Sequence, residues 1–363
     1  MTFINGSIGS FRAAMRIGRG DRVEHCGGAV TTNPGGGGGQ QLDLATVESV
    51  AAESAGGIKA SDATVVLATH DLDRWPFLVA AVESLLAERN RPGHVVICVD
   101  QNEELCERVR TTWPQVTTVP NKCGRGASGT RNTGAEQAGT PFIAFLDDDV
   151  RIRDGWLPRL LEPFTDPAVV GTGGGMVAGW QAGRPGWFPE EFDWVVGASY
   201  RGMPTVRSTV RNVWAENMAV RTEVFHAVGG FRSGFGKVGD RSRPEDTDLC
   251  IRMSAHVAGA QWVYVPDAVA EHHVPTERAS LSFFLRRNYL EGRGKVEMMR
   301  LLGGQENLQD ERDYLRRTLP AGVSAGLRTA ARRRDLSGLL KAGAIVAGVL
   351  AAGVGAVTGM YNA

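Results

Sequence analysis

The 363-residue chain lacks net charge, with 40 Lys and Arg against 40 Asp and Glu. Proteins that coat nucleic acid carry a basic surplus, so neutrality argues against that class. It also lacks paired cysteines. Cys26, Cys98, Cys106, Cys123 and Cys250 include no C-x-x-C pair, a pattern that reads as a reduced, cytosol-facing chain with neither a disulfide framework nor a zinc site. The first twenty residues hold Arg12, Arg16 and Arg19 but no apolar run of signal-peptide length, which speaks against secretion. No G-x-y period runs through the 47 glycines, so a collagen-like chain is excluded.

What is present is unevenly spread. Residues 61–280 carry 22 basic and 28 acidic residues, whereas residues 281–363 carry 13 and 7, so neutrality is an acidic body cancelled by a basic tail. Residues 1–60 have linker composition, with glycines 35 to 39 after Pro34, and are expected to be a disordered leader. From Ser61 apolar runs alternate with helical stretches. Ala63–Thr69, His94–Val99, Val116–Val119 and Pro141–Leu146 read as strands, and Trp75–Arg89, Glu103–Arg110 and Ala127–Ala138 as helices between them. That alternation predicts an α/β catalytic domain over residues 61–280 with a mostly parallel sheet, whose ligands sit beyond the carboxyl ends of the strands. Further on, Val169–Met176, Asn212–Arg221 and Trp262–Val265 read as extended and Pro244–His256 as helical, while the Trp-, Pro- and Gly-rich stretch 179–202 shows no period.

A basic helical extension is expected over 281–340, beginning with a long helix at Leu281–Leu302. Residues 342–363 contain no charge and follow Arg332-Arg333-Arg334 and Lys341. About twenty apolar residues suffice to cross ~30 Å of hydrocarbon, with the basic flank on the cytoplasmic side. The segment from 341 onward therefore reads as a membrane-anchoring helix or as one that packs on the domain or a partner.

Asp147-Asp148-Asp149 is the sharpest chemical signal. Three adjacent carboxylates at a strand end repel one another, and a hard divalent cation with its phosphate ligand relieves that repulsion. Glu245-Asp246-Thr247-Asp248 opens a helix, where carboxylates are favoured by the free N–H groups and the dipole, and where one of them can act as a base. His272-His273 follows a strand and a Pro266-Asp267 turn; the pair reads either as one buried and one exposed imidazole or as a source of a metal or diphosphate ligand. A rival signal is Gly124-Arg125-Gly126-Ala127-Ser128-Gly129, which has the G-x-G-x-x-G spacing of a dinucleotide-binding turn but follows the third strand rather than the first.

In order along the chain, Gly129–Gly134, Asp147–Asp149, Glu216–Arg221, Val228-Gly229-Gly230-Phe231, Glu245–Leu249 and Pro266–Pro275 resemble the motifs of glycosyltransferase family 2 over about residues 61–300. The resemblance implies the glycosyltransferase-A fold and a metal-dependent inverting transfer of sugar from a nucleotide-sugar donor to a hydroxyl acceptor. Its cofactor would be Mn2+ or Mg2+. It places Thr69, Arg74, Asp100, Arg131, Asp147 and Asp148 on the nucleotide and Glu216 and Asn217 on the donor sugar. It places Asp149, Asp147 and His272 or His273 at the metal, and Asp246 with Glu245 at the catalytic base. An Asp of ordinary pKa ~3.9 is ionised at pH 7 and can serve as that base. The acceptor is expected to be lipid-linked or an envelope glycan, reached from the cytoplasmic face of a membrane through a single C-terminal span or peripheral attachment, with no nucleic-acid partner. The competing readings are an NAD(P)-dependent oxidoreductase using residues 124–129 and an inactive membrane-tethered sugar-nucleotide binding module.

Overall fold

Seven residues, Ala63–Thr69, are almost wholly buried and form the first strand, β1, of the sheet that organises the molecule. The computed structural model describes residues 57–233, 235–238, 241–243, 245–302, 312–333 and 336–361. The leader expected over residues 1–60 lies outside these except for its last four. Strand β1 runs parallel to β2 (His94–Val99) on one side and β4 (Phe142–Asp147) on the other, and β2 to β3 (Thr117–Pro120). Such strands are covered on both faces and so read as continuous apolar runs.

The helices between them follow from apolar spacing. In α1 (Trp75–Ala87) the buried Leu78, Ala81, Val82 and Leu85 recur at helical intervals, and Pro76 opens the first turn. In α2 (Glu103–Thr112) the Asn102 side chain accepts the Leu105 N–H at 2.9 Å and caps the helix. Helix α3 (Ala127–Ala135) lies tight on the sheet, since a Cβ at Gly134 would come within 2.4 Å of Val66 Cγ1.

Beyond β4 the sheet becomes mixed. Strand β5 is Val150–Ile152, β6 Val169–Trp180, β7 Ser208–Val210, β8 Asn217–Arg221 and β11 Gln261–Val274. The order is β3-β2-β1-β4-β8-β6-β11-β5, with β7 also on β11. Strand β8 is antiparallel to both β4 and β6, while β6 and β11 are parallel. The α/β expectation holds, and a two-stranded ribbon of β9 (Gly236–Val238) and β10 (Arg241–Arg243) stands apart.

Strand β11 is much longer than the four residues expected. Pro266-Asp267 does not end it: the pairing with β6 shifts register between Val265 and Val269, so the proline sits where the ladder is already interrupted. Strand β8 starts five residues after the expected Asn212.

Apolar clusters fill both sides of the sheet. One joins α1, α2 and α4 (Trp156–Leu161); the other joins α5 (Thr222–Ala227), α6 (Glu245–His256), Phe284 of α7 (Leu281–Leu302) and Ile345 of the last helix. The expected extension 281–340 is therefore no separate unit at its start, because Phe284 is in the core. After a turn of π-helix at Tyr314–Thr318, α8 (Leu319–Arg333) leads to α9 (Leu336–Tyr361), one helix that begins five residues before the expected boundary. Among the described residues α9 is the one helix long and apolar enough to cross a membrane. Cys98, Cys106 and Cys250 are buried free thiols, while Cys123 is disulfide-bonded, which corrects the expectation of a chain without disulfides at that position.

Candidate active site

The carboxyl ends of β1 and β4 bring Thr69 and Asp147 to one edge, and the turn from β4 into β5 carries Asp148 and Asp149. The three acids have different partners. Asp148 is buried and accepts Thr69 Oγ1 at 2.7 Å, Arg74 Nε at 2.9 Å and Arg74 Nη2 at 2.5 Å. Burial nevertheless holds its pKa above the ordinary carboxylate value against the pull of Arg74. The same guanidinium reaches Asp149 Oδ2 at 2.7 Å. Thr69, Arg74 and Asp148, expected on the nucleotide, thus form a strut that fixes the turn.

Asp147 is held by Arg131 Nη2 at 2.5 Å, and Arg131 Nη1 lies 3.4 Å from Glu245 Oε1. One buried arginine on α3 therefore joins the two acidic clusters. Asp100, expected on the nucleotide base, accepts Asn121 Nδ2 at 2.7 Å and the Gly126 N–H at 2.8 Å. That contact also corrects the dinucleotide alternative. The N–H a pyrophosphate would need at the G-x-G turn is taken by a carboxylate, and the turn follows β3 at the sheet edge.

Alternation along β11 separates the two histidines. His272 faces inward: its Nδ1 donates to Val196 O at 2.7 Å, so in the neutral ring Nε2 is left as the acceptor, 3.4 Å from Asp149 Oδ2. Burial works to lower the His272 pKa, but the hydrogen bond and charge of Asp149 overcome it and raise the group to about 9. Asp149 moves the opposite way: burial disfavours its charge, yet His272 and Arg74 hold it below the usual range. His273 lies on the other face, stacked on Phe77 at 4.1 Å between ring centres, beside a shallow pocket of about 170 Å³. It does not meet Asp149 Oδ2 as His272 does, and among the described residues its Nε2 is buried without a hydrogen-bond partner.

Glu216 and Asn217 also part. Asn217 is buried, with Oδ1 accepting Trp156 Nε1 at 2.7 Å and Nδ2 donating to Gly175 O at 3.1 Å and Ala268 O at 3.3 Å. Its amide is fully used in the core, which corrects its expected contact with a donor sugar. Asn217→Ala should leave the Trp156 N–H unpartnered and lower stability by about 1–3 kcal/mol in chemical denaturation; an unchanged unfolding midpoint would contradict this.

Glu216 instead reaches the site. Among the described residues its carboxylate makes no hydrogen bond or ion pair, and burial together with the surrounding acids pushes its pKa up to about 8 despite His272. It sits beside Gly197, whose φ is +71° and where a Cβ would come 2.9 Å from His272 Nδ1 and 3.2 Å from Glu216 Oε2. Only glycine lets the chain pass there. Glu245 and Asp246 begin α6, and burial raises both pKa values, so Asp246 is not the ordinary carboxylate the sequence suggested. The Asp246 carboxylate accepts the Ala215 N–H at 3.4 Å, one residue from Glu216. Asp248 is structural: Arg232 and Arg252 hold it, and Arg252 also donates to Val228 O and Gly230 O.

Sequence reasoning missed Val196, Gly197 and Arg278, whose Nη1 lies 3.5 Å from His272 Nε2. The first two fall in the stretch without a period, and Arg278 follows a proline that ends the strand pattern.

Among the described residues no group of three or more His, Cys, Asp and Glu side chains is arranged to hold an ion alone. Asp149 and His272 converge as one oxygen and one nitrogen donor, beside Glu216, Glu245 and Asp246, whose charged forms burial disfavours. That donor set fits a hard dication whose remaining ligands come from substrate phosphates.

A family model described as Glycosyl transferase family 2 matches residues 64–229. Over 304 residues the chain is 30% identical to the glucosyl-dolichyl phosphate glucuronosyltransferase of Haloferax volcanii, covering 82% of this chain and 96% of that one. It is 33% identical over 154 residues to the pre-mycofactocin glycosyltransferase of Mycobacterium tuberculosis, covering 42% of this chain and 31% of the relative. Among solved structures it is similar to the mannosyltransferase PcManGT from Pyrobaculum calidifontis, in complex with GDP-Man and Mn2+. The TM-score is 0.53 at 14% identity, covering 86% of this chain and 94% of that one, a likeness of fold.

Proposed function

The chain belongs to glycosyl transferase family 2, and from that premise we propose that it moves a sugar from a nucleotide-sugar donor to a hydroxyl acceptor with inversion, assisted by a divalent cation. The observation that carries this is the convergence of Asp149 and His272 beside Glu216, with Glu245 tied to Asp147 through the Arg131 bridge and Asp246 next to it in sequence. Mn2+ or Mg2+ would be held by Asp149 and His272 and would supply charge neutralisation for a leaving nucleoside diphosphate.

The protein's own groups account for the other requirements. Asp246 would accept the proton of the attacking hydroxyl at its carboxylate, and the burial that raises its pKa makes it a stronger base than a solvated aspartate. Burial pushes the Glu216 carboxyl up to about 8, and in its protonated form it would donate a hydrogen bond to a sugar hydroxyl. Arg278 places a fixed positive charge by His272, on the side where a diphosphate would add negative charge. Asp147, drawn to Arg131, would meet the nucleotide ribose.

A lipid-linked acceptor at the cytoplasmic face of a membrane is the acceptor class we favour. The Haloferax relative is named for a dolichyl-phosphate substrate, and this chain carries the apolar helix α9. A thermal-shift panel of UDP-, GDP- and dTDP-sugars, each with and without Mn2+ and beside NAD(P)H, tests the donor assignment. One nucleotide sugar should raise the unfolding temperature only with metal; stabilisation by NAD(P)H without metal would overturn it.

A further inference from the structure

Helix α9 places its large and small residues in the reverse of the usual order. A helix that packs on a core turns Leu and Val inward. Here the buried positions are Gly338, Ala342, Ala344, Ile345, Gly348 and Gly355, while Leu339, Val346, Leu350, Val354 and Val357 are 47–64% exposed. Spaced three, four or seven residues apart, the exposed set makes one apolar face along a helix ~39 Å long.

The small face is what pins α9 to the body. A Cβ at Gly355 would lie 1.9 Å from Tyr289 O, and one at Gly292 of α7 would lie 1.9 Å from Ala352 O, so the two backbones are in direct contact. Arg300 of α7 donates to Gly359 O at 3.0 Å and Met360 O at 2.8 Å and satisfies the last carbonyls of α9. Helix α8 folds back on the start of α9, with Gly326 against Gly338 and Gly322 against Ile345. For α9 to stand across a bilayer it would have to leave α7 or draw Arg286, Arg287, Arg293, Lys295 and Arg300 into hydrocarbon.

Charge states what the exposed face meets. Residues 314–361 hold seven basic residues and one acidic residue, Asp335. Arg316, Arg317, Arg328 and Arg332 are exposed, as is Leu327 on α8. We propose that the α8–α9 hairpin docks the protein on an anionic lipid bilayer, with α9 lying in the plane of the surface and its Leu339–Val357 face in the boundary between headgroups and acyl chains. A single in-plane face of large aliphatic residues beside basic residues is the composition that such docking needs. The inference goes beyond the catalytic reading and does not depend on it.

The test uses the full chain and no turnover measurement. It should float with phosphatidylglycerol-containing vesicles and at least about tenfold less with phosphatidylcholine alone. Alkaline carbonate should strip it from membranes of expressing cells. In sealed membranes of known orientation, an impermeant maleimide should label Tyr361→Cys and Ser324→Cys from the same side, above the background of the unsubstituted chain. Leu350→Asp with Val354→Asp, both at exposed positions, should cut flotation at least about tenfold with an unchanged thermal melt. Labelling from opposite sides, or resistance to carbonate, would establish a span and overturn the proposal. So would an unchanged flotation of the double variant, or a soluble dimer that ignores vesicles and is broken by those substitutions.

Discussion

Asp246→Asn should lower kcat by about 10²- to 10⁴-fold, the range for removing a positioned general base, while metal-dependent binding of the donor nucleotide sugar persists. The amide keeps the shape of the carboxyl group and its contact with the Ala215 N–H is long, at 3.4 Å. Loss of structure is therefore not the expected cause of the rate loss, and the unfolding midpoint checks that separately. The wild-type rate should fall as pH drops through a value above the ordinary carboxylate range, because burial raises the Asp246 pKa and the base works only when ionised. Normal turnover by Asp246→Asn with the correct donor would remove Asp246 from this role. Glu245, joined to Arg131 at 3.4 Å, would then be the next carboxylate to examine.

Asp149→Asn should act at a different step. Removing a metal-holding carboxylate should reduce kcat/KM by about 10²- to 10³-fold, equivalent to several kcal/mol, and should abolish the metal-dependent part of the thermal shift. Asp149 is also the main group that raises the His272 pKa, so the variant should lower it. A variant that kept the full metal-dependent shift would show that the cation lies elsewhere. Asp148→Asn is the useful contrast. Asp148 is committed to Thr69 and Arg74, so its loss should appear first as reduced stability.

Much of this arrangement was legible in the sequence, for identifiable reasons. Strands β1 and β2 are apolar on both faces and bounded by turns, and their expected limits agree with those observed. Leu281–Leu302 likewise showed its helical pattern in full. Strand β11 was cut short because Pro266-Asp267 looks like a turn, whereas the fold absorbs it in a register shift. That shortening had a chemical cost: with the strand taken to Val274, alternation alone would have put His272 and His273 on opposite faces.

The roles within Asp147-Asp148-Asp149 were not separable either. They are set by Arg131, Arg74 and His272, which reach the turn from three distant parts of the chain. The stretch 179–202 has no period because its order comes from rings remote in sequence. Trp187 meets Phe284 edge-on at 5.5 Å, and Phe192 meets Tyr314 at 6.2 Å. Through Val196 and Gly197 that same stretch fixes the orientation of His272. A site residue was thus positioned by the part of the chain that carried the least sequence signal.

The central claim is that Asp149 and His272 together hold a divalent cation beside the donor. Pulsed electron paramagnetic resonance of Mn2+ bound with the stabilising nucleotide sugar tests it most directly, through the coupling of the ion to an imidazole nitrogen. That coupling should be present in the wild type and in His273→Ala, and lost in His272→Ala. A coupling that survives in His272→Ala and vanishes in His273→Ala, or a wild-type complex with no nitrogen coupling, would contradict it.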